Sequence, residues 1–280
     1  MKDLGQRAPA VAGPGSWSRR GFLGSTAAVA LAGLGARPAR AAGATLDDLP
    51  SRAAVVARFG SREPEHFGMF LSHMLTHVDR RTALTFDACG GPRGSHYDGA
   101  LVETLRKHKV PATLFLNARW IATFPTVAAE LAADPLFELG NHGSQHRPLT
   151  VRGQAAYGIA GTRSVGEAYD EIVRGMDAVA GLTGGRPVWF RPGTAWADDV
   201  GVGVAGALGV RVTSFSVNAD AGATASRKDV TANLSGAPSR AITLGHFNHP
   251  EGQTAEGLAR ALPVLLDRGR RFMTLSAACA

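Results

Sequence analysis

A chain of 280 residues with 45% hydrophobic and 19% charged residues can bury a sizeable core, so wholesale disorder is excluded and one large domain or two small ones are expected. The formal net charge of +7 would suit a nucleic-acid binder until it is located: six of the 30 basic residues, but only one of the 23 acidic ones, precede Ala42. The body of the chain is close to neutral, which excludes a nucleic-acid partner as the reason for the charge.

The basic balance belongs to the leader. Ser18-Arg19-Arg20-Gly21-Phe22-Leu23 resembles the twin-arginine signal of bacteria, an apolar run follows over 22–34, and Ala39-Arg40-Ala41 has the form of a small-x-small cleavage site. A membrane span needs about 20 apolar residues, more than this run offers, and no cysteine stands at the cleavage site to carry a lipid. Residues 1–41 are therefore expected to be a signal peptide, handled by the twin-arginine export machinery and removed. The product would be periplasmic or secreted, without a stable membrane anchor.

Residues 42–80 read as an N-terminal extension. Within it, Phe67, Phe70, Leu71, Met74, Leu75 and Val78 recur at helical spacing, which predicts an amphipathic helix over 65–78. His73 and His77 lie on it four residues apart, a spacing that suits a metal, but no third ligand is near and a polar face is the expected setting.

From residue 81 to 280 strands and helices alternate. Strands are expected over 83–86, 112–116, 137–139, 187–190, 210–217, 241–244 and 271–275. Helices are expected over 98–109, 125–133, 164–182, 198–208 and 255–267. This alternation implies a parallel sheet covered by helices, an α/β fold in barrel or doubly wound form. No internal repeat or low-complexity segment interrupts it.

The polar residues keep one phase with this pattern. Asp87, His142, Arg191, Asp220 and His246 each stand just past the C-terminal end of an expected strand. In a parallel barrel those ends open on one face, where active sites are built from the loops. The stretch Leu84-Thr85-Phe86-Asp87-Ala88-Cys89-Gly90-Gly91 is the first of these strand ends, delivering an aspartate and then glycines that permit sharp turns and close approach. His142-Gly143-Ser144-Gln145-His146 adds two imidazoles four residues apart. With an oxygen or sulfur ligand, two neutral imidazoles make a catalytic zinc-type site with open positions.

These motifs resemble, in order, those of the polysaccharide deacetylase family (the NodB-homology, carbohydrate esterase family 4 enzymes). Thr85-Phe86-Asp87 looks like the first motif, Gly140-Asn141-His142 through His146 the second, Phe190-Arg191-Pro192-Gly193 the third, and Leu244-Gly245-His246 the fifth. The resemblance implies a distorted (β/α) barrel over 81–280 and a divalent metal, zinc first, held by His142 and His146. It further implies Asp87 as base, Arg191 orienting it through a bidentate bond, and His246 as acid with Asp220 beside it. A backbone N–H near Thr194 would face the oxyanion. His249 is a competitor of His246 for the acid role.

Two positions depart from the family pattern. Ala88 stands where a second aspartate usually supplies a metal ligand, and Asp220-Ala221-Gly222 lacks the tryptophan expected nearby. Cys89 could supply the missing ligand, since thiolate suits zinc. The rival expectation, preferred here, is a disulfide with Cys279, the other of the two cysteines, because the first and last strands of a barrel are neighbours and export permits the bond. The expected activity is removal of N-acetyl groups from an envelope or other polysaccharide. The alternatives are an O-acetyl polysaccharide esterase and a carbohydrate-binding relative with weak or no catalysis.

Overall fold

The computed structural model describes residues 46–92 and 94–280; the expected export leader lies outside the described residues. Ten short strands and nine α-helices follow one another in it. β1 (Phe67–Gly68) pairs antiparallel with β6 (Ala197–Asp198) as a small separate ribbon. The main sheet contains β2 (Thr82–Ala88), β3 (Ala112–Leu116), β4 (Phe137–Asn141), β5 (Trp189–Phe190), β7 (Arg211–Val212), β8 (Val217–Asn218) and β9 (Ile242–His246), with β10 (Phe272–Met273) against the start of β2. All its pairings are parallel, in the order β7-β5-β4-β3-β2-β9-β8. The sheet curls into an incomplete barrel, as the alternation implied.

β2 shows how sequence sets this arrangement. Every residue of it is buried, as expected for a central parallel strand covered on both faces. Side chains alternate: Leu84, Phe86 and Ala88 join one hydrophobic cluster with Leu101 and Leu105 of α2 (Gly99–Lys107) and Leu258 and Leu262 of α8 (Thr254–Asp267). Thr85, Asp87 and then Cys89 belong to the opposite, inward set. A second cluster packs α1 (Arg52–Phe59), α5 (Val165–Thr183) and α6 (Asp199–Ala207) around Phe190 and Val212. The helix starts are set by side-chain caps: Asp98 for α2, Ser164 for α5 and Asp198 for α6 each accept from a backbone N–H in the first turn.

The helix expected over 65–78 does not form. Met74 and Val78 do turn inward, but the backbone there is bonded to the sheet. Leu75 donates to Val212 and accepts from Ser214, both at 2.8 Å, and Val78 donates to Arg240 at 2.9 Å. These bonds run to the two ends of the barrel gap, so the segment is a strap across it, and its tertiary partners outweigh a helical apolar spacing. The strand expected over 210–217 is likewise two strands. β7 lies at one edge of the sheet beside β5 and β8 at the other beside β9, and 213–216 spans the gap. The expected strand over 271–275 stops at Met273, and α9 (Leu275–Ala278) follows. α1, α3 (Ala118–Thr123) and α7 (Arg227–Gly236) were not anticipated, whereas α4 (Pro125–Ala133) and β3 keep their expected bounds.

The disulfide is also corrected. Both cysteines are free. After β10, α9 carries the chain to the start of β2, where the Ala278 carbonyl accepts from the N–H groups of Asp79 and Arg80 at 3.1 and 3.2 Å. Cys279 therefore sits before β2 and Cys89 after it, and the length of a seven-residue strand, about 20 Å, separates those ends. Among the described residues no helix is long and apolar enough to cross a membrane.

Candidate active site

Parallel register places the polar strand ends side by side. Asp87 is the partner of His246 across β2 and β9, Leu116 of Asn141 across β3 and β4, and Asn141 of Phe190 across β4 and β5. The residue after β4 is His142 and the residue after β5 is Arg191, so both emerge at the level of Asp87. Asp87, Cys89, His146, Thr194 and His246 all line one cleft of about 720 Å³.

Asp87 is held by a buried guanidinium. Arg191 Nη1 donates to Asp87 Oδ1 at 2.7 Å, a short charge-assisted bond. The bidentate clasp expected between them is not made, because the other arm, Nη2, donates to Thr85 Oγ1 at 2.8 Å and to the Ser214 carbonyl at 3.0 Å. The guanidinium carbon lies 4.2 Å from the centre of the Phe115 ring, so packing and hydrogen bonds together fix the fork. Asp87 Oδ2 is left 3.6 Å from His142 Nε2.

His142 is oriented from behind. Its Nδ1 lies 2.8 Å from the Arg191 carbonyl oxygen, which requires Nδ1 to carry the proton and turns Nε2 toward Cys89 Sγ, 3.7 Å away. The His142 and His146 rings meet edge to face at 4.9 Å between centroids. Burial works to lower the His142 pKa, but the charges of Asp87 and Cys89 outweigh it and raise it. Burial works to raise the Cys89 thiol, but the charge of His146 and hydrogen bonds with His142, His146 and His246 hold it well below the usual thiol range.

Geometry groups Cys89 with the two histidines. Its Sγ and one nitrogen each of His142 and His146 all lie within 4.8 Å of one another, a constellation of three metal-capable side chains. Two imidazoles and a thiolate make a donor set suited to a borderline metal such as zinc. Ala88 contributes nothing to it, since its side chain faces the helix layer with Leu84 and Phe86. Strand alternation brings in the next residue, Cys89, instead.

On the other flank, His246 Nδ1 lies 3.0 Å from Asp220 Oδ1, and its backbone N–H donates to Asp220 Oδ2 at 2.6 Å. Burial would raise the Asp220 pKa, but His246 and the Thr254 hydroxyl, 2.9 Å away, lower it. Burial would lower the His246 pKa, and the Asp220 carboxylate raises it well above the ordinary imidazole value instead. His249 is differently placed. It lines the cleft but pairs with Glu251 at 2.7 Å. Thr194 and Ala195 form a left-handed turn after Arg191, with φ of 68° and 61°. His73 and His77 are exposed and stand apart from this group.

Several residues that build the site were not singled out from the sequence. Glu171, buried on α5, accepts from the Ser144 hydroxyl at 2.9 Å and from the Gln145 N–H at 2.9 and 3.0 Å, fixing the loop between the two histidines. Its signal was a carboxylate on the apolar stripe of α5, flanked by Ala168, Ile172 and Gly175. Asn117 donates to the carbonyls of His142 and Gly143 at 3.0 and 2.9 Å. Gly193 lies so close to the His146 backbone that a Cβ there would sit 2.2 Å from its carbonyl carbon.

Residues 76–213 match the family model described as polysaccharide deacetylase. Among curated proteins, the uncharacterized protein YlxY of Bacillus subtilis is 25% identical over 99 residues, covering 35% of this chain. The matched part spans only 27% of that relative's length. Among solved structures, a pseudoenzyme of carbohydrate esterase family 4 from Bacillus anthracis superposes with a TM-score of 0.61 at 22% identity, over 74% of this chain and 69% of that one. A peptidoglycan N-acetylglucosamine deacetylase gives the same TM-score and identity over 74% and 92% of the two chains. A family 4 carbohydrate esterase from Streptomyces lividans, solved with acetate, gives 0.56 at 24% identity over 70% and 92%. At these identities the superpositions show a shared fold.

Proposed function

Because its residues 76–213 place this chain in the polysaccharide deacetylase family, we propose that it is an exported, metal-dependent hydrolase removing N-acetyl groups from an amino-sugar polymer of the cell envelope. The observation that carries the reading is the convergence of a fixed carboxylate, a two-imidazole and thiolate cluster, and an aspartate-paired histidine on one cleft. Those are the parts amide hydrolysis needs: a base, an electrophile-binding centre and an acid.

Cys89, His142 and His146 would hold the metal. When bound, it would polarise the acetamide carbonyl and acidify a water molecule. Asp87, pinned through Oδ1 by Arg191, presents Oδ2 to the cleft and takes the proton of the attacking water. The new bond joins the water oxygen to the acetyl carbon, and the negative charge that develops on the carbonyl oxygen is met by a backbone N–H in the left-handed turn at Thr194. The carbon–nitrogen bond then breaks. His246, kept protonated by Asp220, gives its proton to the departing amine, and acetate leaves.

The test is metal content of the purified protein together with acetate release from N-acetylglucosamine oligomers, before and after chelation and metal return. Bound metal, with acetate release that chelation stops and metal restores, is the expected result. Acetate release indifferent to chelation would overturn the metal assignment. Sugar binding without acetate release would overturn the catalytic one in favour of a binding protein, the reading that Ala88 favours.

A further inference from the structure

One charged group in the cleft has no use in the chemistry above. Arg119, half-buried at the start of α3, lines the same cleft. Its Nη2 donates to the Gln145 carbonyl at 2.8 Å and its Nε to Asn117 Oδ1 at 3.4 Å. Neither acceptor carries a charge, and Nη1 has no acceptor among the described residues.

The surroundings offer no free carboxylate. Among the described residues, Asp87 is the one acidic residue on the cleft wall, and Arg191 already engages it at 2.7 Å. The other ionisable groups on the described wall are Cys89, the Tyr157 phenol and the imidazoles of His146, His246 and His249. The guanidinium is also deliberately accommodated. It lies against Gly91, where a Cβ would stand 2.9 Å from Nη1, and a Cβ on the neighbouring Gly90 would meet the Trp120 nitrogen at 2.8 Å. The two glycines after Cys89 thus make room for Arg119 as well as for a turn.

A planar guanidinium that is held in place, reaches a binding cleft and keeps one face of its fork unengaged is matched by a carboxylate on the ligand. Met69, Tyr157 and Phe215 elsewhere on the wall give apolar surface for sugar rings. We propose that Arg119 is a specificity-determining residue that receives a carboxylate borne by the glycan strand beside the acetamide to be cleaved. The substrate is then an anionic amino-sugar polymer, its acid being either a lactyl ether on an amino sugar or a uronate. The proposal rests on the deacetylase reading for the acetamide, and on Arg119 alone for the acid.

The test compares kcat/KM for acetate release from three probes: muramyl-containing oligosaccharides, uronate-containing N-acetylated oligosaccharides, and neutral N-acetylglucosamine oligomers. In Arg119→Gln the preference for one acidic probe over the neutral one should fall about 10- to 100-fold, the range of a hydrogen bond to a charged group. The acidic probe that loses its advantage identifies the source. Arg119→Lys, which keeps the charge without the fork, should fall between. An unchanged preference, with both rates falling together, would overturn the proposal and leave Arg119 as a prop for the His146 loop. Calorimetric binding of the same probes to Asp87→Asn separates the two readings. Arg119-dependent binding of an acidic probe by a protein whose wild type releases no acetate would keep this inference and remove the deacetylase one. Acetate release with no Arg119-dependent binding would do the reverse.

Discussion

Two segments of this chain carry histidines four residues apart, and they end in opposite situations. His142 and His146 follow β4; His146 lines a cleft with Cys89 and Asp87, and the buried His142 completes the cluster behind it, 3.6 Å from Asp87. His73 and His77 lie in the strap over 74–78 and its approach, exposed, with His77 Nδ1 3.0 Å from the neighbouring Thr76 hydroxyl. The difference lies in what holds them. The first pair is set by β4 pairing, by Glu171 and Asn117 gripping the intervening loop, and by the Arg191 carbonyl behind His142. The second pair sits on a backbone bound to the sheet, with its side chains left to water. Spacing alone does not make a site; a rigid strand end supplied with outer partners does.

The contrast would be broken most directly at Asp87. Asp87→Asn keeps the shape and an acceptor for Arg191 but removes the proposed base, so kcat should fall by about a thousandfold, within the span of general acid–base effects, while metal content is retained. Loss of metal in that variant would show Asp87 to be a ligand. Next in size are the proposed ligands. His146→Ala and Cys89→Ala should each weaken metal affinity by more than the roughly 10- to 100-fold that loss of an outer partner costs, read by titration with a competing chelator. Retention of full affinity in Cys89→Ala would return the ligand set to two histidines and oxygen.

A smaller effect should appear on the acid flank. Asp220 raises the His246 pKa well above its ordinary value against the effect of burial, so the proton that His246 is proposed to donate is present up to that raised pKa and is lost as pH rises through it. Asp220→Asn removes the charge, and the alkaline limb of the kcat profile should move to lower pH with the acid limb little changed. An unmoved alkaline limb would take His246 out of the acid role and bring forward His249, which keeps its own carboxylate partner in Glu251.

What the sequence could and could not disclose follows the same division. The strand ends that carry Asp87, His142, Arg191, Asp220 and His246 are local properties, and they were legible from periodicity and turn residues. Cys89 was legible in principle: it shares strand parity with Thr85 and Asp87, while Ala88 shares it with Leu84 and Phe86. The expected disulfide competed with that role, because neighbouring first and last strands suggest that Cys89 and Cys279 leave at the same end. The strap and the splitting of 210–217 were not legible, because their hydrogen bonds go to residues more than a hundred positions away or to opposite edges of the sheet. Arg191 was expected to clasp Asp87 with both arms, and only the fold reveals Thr85 and Ser214 competing for one of them.

The smallest predicted effect is the one that tests whether the comparison itself is sound. His73 has φ of 69°, a left-handed conformation that asparagine tolerates well among residues with a side chain, so His73→Asn removes the imidazole without adding strain. His77→Gln likewise keeps a polar group beside Thr76. Because both side chains are exposed, the double variant should keep stability within about 0.5 kcal/mol, the usual range for surface substitutions, with metal stoichiometry and acetate release unchanged. A drop in stoichiometry would mean that the strap holds an ion of its own, and spacing would then have been the better guide. An unchanged protein, set beside the loss expected in His146→Ala, would assign the difference between two identical spacings to the strand end and the buried partners that brace it.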